Sequence, residues 1–168
     1  MGKEAKESVG GIGTVIKRDG IFDLDTLYDI ASIWATARGY TKKEKDMTRK
    51  VAADGGEYKI KWALSKKADD YVKYDVETEV WVWKGIEVIV ENEGKQLKRV
   101  KGTVEITITS KMTKNYEKDF PPTRQAQFIR RLVERFLWKQ RLGKHEEKLY
   151  FDVIDLQERY KKALEQYT

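Results

Sequence analysis

Between Tyr71 and Trp83 apolar and polar positions alternate: Val72, Tyr74, Val76, Val80 and Val82, with Thr78 completing the row, share one parity, and Lys73, Asp75, Glu77 and Glu79 share the other. A period of two over this length predicts a strand with one face on a core. Tyr58, Ile60, Trp62 and Leu64 alternate with Lys59, Lys61, Ala63 and Ser65 in the same way. Before them, Lys42–Ala53 predicts a highly charged edge strand with only Met47 and Val51 inward, closed by a hairpin turn at Asp54-Gly55-Gly56. Placing Met47 and Val51 on the face of Ile60 and Leu64 requires a loop of even length.

The strand from Tyr71 continues through Ile86–Val90 to a tip at Glu91–Lys95 and returns through Gln96–Val100 into Thr103–Thr113, where Val104, Ile106, Ile108 and Met112 alternate with polar neighbours. Setting Val90 opposite Gln96 brings Gly85 near Gly102, which predicts a bend or bulge, and places Val82 opposite Val104 and Val80 opposite Ile106.

Helical spacing governs the rest. Leu24, Leu27, Ala31 and Trp34, widened by Ile30 and Ile33, predict a core-facing helix capped by Asp23 or Asp25 and ending near Gly39. Pro121-Pro122 introduces a second helix reaching Leu142, with Phe128, Ile129, Leu132, Val133, Phe136 and Leu137 as its apolar stripe. Gly143 breaks that pattern, and a last helix over His145–Tyr167 buries Leu149, Val153, Leu156, Tyr160 and Leu164. The fold class is therefore α+β: a four-stranded antiparallel meander with an extended hairpin between its third and fourth strands, covered on one face by one N-terminal and two C-terminal helices. Residues 1–13, with four glycines, form a flexible N-terminal arm, and residues 14–168 a single α+β domain.

Composition narrows the function classes. No cysteine is present, which excludes disulfides, thiolate zinc sites and cysteine nucleophiles. With abundant Glu and Lys this fits an intracellular, heat-adapted chain. The formal net charge is +6, much of the surplus lying between Arg124 and Lys148. The polar start is no signal peptide, no apolar run is long enough to span a membrane, and the cytoplasm is the expected compartment.

Three short motifs carry a resemblance: Leu-Tyr and Trp at Leu27–Trp34, Asp-Tyr-Val-Lys at Asp70–Lys73, and Lys-Leu-Tyr-Phe-Asp-Val at Lys148–Val153. In these the chain resembles small archaeal proteins of uncharacterised function. The resemblance implies an archaeal origin and one compact domain, and transfers no active site.

Catalytic chemistry is sparse. His145 is the only histidine and reads as an exposed residue beside Glu146 and Glu147. Asp75, Glu77 and Glu79 recur on one face about 6.6 Å apart, close enough to share a cation. The expected register sets two of them against Lys59 and Lys61, and Asp75 against Lys111, which makes them cross-strand ion partners. The serines have no nucleophile-elbow setting, and Gly11-Ile12-Gly13 lacks the strand and third glycine of a dinucleotide fingerprint. No cofactor and no metal site is expected, and the chain reads as non-enzymatic.

Binding candidates remain. Trp81 and Trp83 fall on the outward parity of their strand. Trp138 falls opposite the Phe128–Leu137 stripe, among Arg131, Arg135 and Arg141. Tryptophan and arginine are frequent interface anchors. The leading expectation is a non-catalytic interaction module, an adaptor or assembly subunit, using Trp81, Trp83 and Trp138 toward a protein partner or a second copy. The alternatives are an RNA- or ribosome-associated protein using the basic helix 124–142, through Arg124, Arg131, Arg135 and Arg141, and a binder of a small hydrophobic ligand between sheet and helices near Tyr58, Trp62 and Tyr74.

Overall fold

A computed structural model describes residues 7–165, with side chains from residue 13 onward. The elements are β1 (Glu7–Phe22), α1 (Leu24–Arg38), β2 (Thr41–Ala52), β3 (Gly55–Lys67), β4 (Val72–Asn92), β5 (Lys95–Lys114), α2 (Arg124–Leu132), a π-helical turn (Val133–Leu137) and α3 (Lys139–Glu165). The strands form one five-stranded antiparallel sheet in the order β1-β5-β4-β3-β2. The class is α+β as expected, with one strand more than the meander predicted.

The additional strand is β1, which pairs with β5 from Glu7↔Lys114 to Phe22↔Val100. Residues 7–13, expected in a flexible arm, belong to it; residues 1–6 lie outside the described residues. Glycines hide its alternation, although Ile16 sits opposite Ile106 and Phe22 is buried. The sheet buries one parity throughout: Ile60, Trp62, Leu64, Tyr74, Val76, Val80, Val82, Val104, Ile106, Ile108 and Met112. On that face α1 contributes Leu27, Ala31 and Trp34, and α3 contributes Leu149, Val153, Leu156 and Tyr160. Asp23 caps α1 by accepting from the Asp25 and Thr26 amides, and Gly39 closes it at φ 75°. Ile33, expected in the buried stripe, is exposed.

Along β2 the parity is right and the burial is not. Met47 lies opposite Ile60, yet it is exposed, as is Val51. Near its start the strand meets α1, where Tyr28 donates to Glu44 and Lys42 to Ser32, and it is exposed along nearly its whole length. Its turn is Ala53-Asp54, which shares only Asp54 with the expected Asp54-Gly55-Gly56 and is even in length.

The long hairpin follows the expected register near the core, with Val82↔Val104 and Val80↔Ile106. A bulge at Lys84-Gly85 then shifts it by one, so Val90 faces Leu97 and Glu91 faces Gln96. Lys84 takes φ 55° there. A Cβ on Gly102 would lie 2.9 Å from the Trp83 carbonyl oxygen, so the glycine is what lets the two backbones meet at the bend. The tip is Glu93-Gly94, both at positive φ, the conformation a two-residue hairpin turn needs.

The C-terminal helices depart most from expectation. Gly143 does not break them: α3 runs through it from Lys139 to Glu165. The junction is the π-helical turn, where the Trp138 amide donates to the Val133 carbonyl at 2.9 Å. The Phe128–Leu137 stripe faces away from the sheet. Phe128, Ile129, Leu132, Phe136 and Leu137 are 62, 52, 42, 71 and 76% exposed.

Candidate functional site

The residues that turn α2 over are the polar ones. Arg130, 4% exposed, is the buried residue of that helix. Its Nε donates to the Tyr71 hydroxyl at 3.0 Å and to Glu134 at 2.9 Å, and Nη1 donates to Gln127 at 2.8 Å. Glu134 also accepts from Lys114 at 2.9 Å and from the Tyr71 hydroxyl. Burial opposes ionisation of Glu134, but Tyr71, Lys114 and Arg130 outweigh it and hold the carboxyl below its usual range. A buried arginine with every polar neighbour satisfied is stable where it is; the same arginine facing an apolar core would not be.

Aromatic packing fixes the same orientation. Trp138 meets Tyr71 edge-on at 4.9 Å and Phe120 at 6.3 Å, with the Arg141 guanidinium 4.9 Å from its ring. Trp138 is thus part of the mount between α2 and the sheet. Tyr71, expected on the outward parity, is 1% exposed because it precedes β4 and turns under this helix.

The turn before β4 completes the mount. One Asp69 oxygen accepts from the Tyr71 and Val72 amides at 2.8 and 2.7 Å. The other accepts from Arg141 at 2.7 Å and lies 2.8 Å from His145 Nε2. Burial would raise the Asp69 pKa, but Arg141, the two amides and His145 hold it at about 2. Arg141, predicted as free basic surface, is therefore taken up by Asp69 and Asp70. The last helix does not neutralise it: Asp152 and Asp155 bind Arg38.

His145, expected to be exposed, is largely covered, with Nδ1 2.7 Å from the Tyr74 hydroxyl. Asp69, His145 and Tyr74 form a carboxylate–imidazole–phenol chain, an order of groups able to relay a proton. It ends on Tyr74, which has no solvent exposure, and burial followed by the charges of Asp152 and Asp69 raises that phenol's pKa. The chain links α3 to the strand and to the turn before it. Trp62 and Tyr74, proposed to line a ligand cavity, are core residues, Trp62 lying 5.4 Å from the ring of Tyr28.

The outer sheet face holds the carboxylate row and the tryptophan pair. Lys61 lies opposite Glu79, and Lys111 opposite Asp75. Lys59, expected opposite a carboxylate, faces Trp81 and reaches Glu79 diagonally at 3.3 Å. Lys45 pairs with Glu77 and lowers its pKa. Trp81 and Trp83 lie side by side at 5.0 Å. Lys59 stands 5.7 Å from the Trp81 ring and Lys17 5.1 Å from Trp83, while Trp81 Nε1 donates to Glu57. Trp81 is 38% exposed and Trp83 less so. Among the described residues no group of three acidic or histidine side chains is placed to hold a metal ion, and no helix is long and apolar enough to cross a membrane.

Of the residues singled out from the sequence, Arg124, Arg131 and Arg135 are exposed on α2 and the π-helical turn, beside the apolar face. Trp138 and Arg141 lie beneath it, and Trp81 and Trp83 are elsewhere on the sheet. The residues missed are Phe128, Ile129, Leu132, Phe136 and Leu137. One signal would have found them. Gln127, Arg130, Glu134, Trp138, Leu142, His145, Leu149, Val153, Leu156, Tyr160 and Leu164 follow three- and four-residue steps without a gap. Carrying the phase of the last helix back through Gly143 therefore puts Arg130 inside and Phe136 outside. Comparison with known proteins finds no family model that matches the chain and no similar curated protein.

Proposed function

We propose that the chain is a non-catalytic interaction module, an adaptor or assembly subunit, whose docking surface is the outward face of α2 and the π-helical turn. The observation that supports this reading is the inverted helix: five large apolar side chains in one stripe lie exposed, while arginine and glutamate occupy the buried side. Scattered apolar residues are ordinary on a protein surface, whereas a continuous stripe of this size marks a contact site. The mount of Tyr71, Arg130, Glu134 and Trp138 holds the stripe in place before any partner arrives, which lowers the ordering cost of association.

Replacing Phe136 and Leu137 by serine tests the reading. Residues that serve only a partner should leave the stability of the free chain within about 0.5 kcal/mol, whereas Leu156→Ala in the core should cost about 2–5 kcal/mol. Material captured by the wild-type chain from nuclease-treated native lysate should be lost from the double variant. A serine variant that loses as much stability as Leu156→Ala would show that the fold needs this face, and the reading would fall.

The RNA reading of helix 124–142 keeps Arg124, Arg131 and Arg135 but lacks its stacking platform, because Trp138 is packed against Tyr71 and Phe120. The docking reading accounts for the apolar stripe, which RNA binding leaves without a role.

A further inference from the structure

We infer that the occupant of this face is the surface of an anionic lipid bilayer. The inference rests on the docking reading above and names its partner.

Charge is the first argument. Between Phe120 and His145 the only acidic residue is Glu134, and it is turned inward onto Arg130 and Lys114. Arg124, Arg131, Arg135, Lys139 and Lys144 are exposed, and among the described residues none of them forms an ion pair. The apolar stripe is therefore flanked by more cations than carboxylates, Glu146 being the exposed acid of the adjoining cleft.

Shape is the second. The stripe lies on the outer side of the helix, and the cleft beside it is lined by the cations Lys114, Arg131, Arg135 and Lys139 together with Glu134 and Glu146. With six charged side chains along its wall, that cleft is not an apolar groove for clamping a peptide. A second copy is also disfavoured: two such helices packed antiparallel bring the same flank of each together, setting Arg131 and Arg135 beside their own counterparts.

An anionic bilayer satisfies both halves of the surface at once. Phe128, Ile129, Leu132, Phe136 and Leu137 enter the boundary between headgroups and acyl chains, while the long arginine and lysine stems reach back to lipid phosphates. The helix lies in the plane of the interface and does not cross it.

Flotation of the full chain with vesicles tests this, using phosphatidylcholine alone and phosphatidylcholine mixed with phosphatidylglycerol. The wild-type chain should float with the mixed vesicles, weakly with phosphatidylcholine alone, and less as salt is raised. Two double variants, Phe128→Ser with Phe136→Ser and Arg131→Gln with Arg135→Gln, should each weaken binding by about tenfold or more. Val51→Ser, an exposed apolar change on the far edge strand, should have no effect. Absence of flotation with mixed vesicles, or binding unchanged by the arginine pair, overturns the inference. A dimer seen by sedimentation and abolished by the phenylalanine pair, without flotation, overturns the bilayer assignment and leaves the docking reading standing. Loss of the folded circular dichroism spectrum in the phenylalanine pair overturns both.

Discussion

At the scale of single residues, two carboxylates decide how the helical end is attached. Asp69 holds two backbone amides on one oxygen and Arg141 and His145 on the other. Its folded pKa of about 2 lies below the ordinary aspartate value. A depressed carboxyl stabilises the fold above its unfolded pKa and loses that contribution as pH falls through the folded value. The wild-type chain should therefore lose about 1–2 kcal/mol between roughly pH 4 and pH 2 through this group, the figure reduced for its partial exposure. In Asp69→Asn that part of the acid dependence should flatten, as denaturant titrations across the range would show. Glu134 is the second. Glu134→Ala removes the buried carboxylate shared by Arg130 and Lys114 and should cost about 3–5 kcal/mol in a denaturant melt. Neither role was legible in the sequence: Asp69 and Glu134 have no local pattern, and the partners that define them, Tyr71, Lys114 and Arg141, lie far apart along the chain.

Elements were legible where one side of the pattern was buried against the middle of the sheet. The alternation in β3, β4 and β5 gave face and pairing, because a one-residue slip would have moved every valine and isoleucine into water. It failed at the margins. β1 was hidden by glycines, and Met47 and Val51 had the right parity on a strand exposed along nearly its whole length. On α2 the rule that the apolar stripe faces the core gave the opposite of what is found, since a buried Arg130–Glu134 pair and Trp138 satisfy the inward side. Gly143 was read as a break because glycine is a weak helix former, yet it lies in mid-helix with nothing within 4 Å of an added Cβ. Gly143→Ala should therefore raise stability by about 0.5–1 kcal/mol, measured by thermal melting. A helix broken at that position would gain nothing.

For the whole molecule, the sheet has a neutralised outer face and a helical inner face, and the two do different work. Lysines and carboxylates on the outside pair across strands, each pair contributing about 0.2–1 kcal/mol. They fix register. The inner layer carries α3 along the core and projects its N-terminal continuation beyond it, so that α2 stands on polar contacts with its apolar side outward. Part of the net charge of +6 lies beside that face, on the exposed Arg124, Arg131, Arg135, Lys139 and Lys144. Composition alone showed the excess and gave no reason for its place.

The most direct test of the central claim is hydroxyl-radical footprinting of the isolated chain in dilute solution, read residue by residue by mass spectrometry. Phe128, Phe136 and Leu137 should be oxidised nearly as fast as in the denatured chain, while Phe22 and Leu156, buried in the core, should be protected. Protection of Phe128 and Phe136 to the level of Phe22, in a chain that sediments as a monomer, would contradict the account, because the apolar side of α2 would then face the fold.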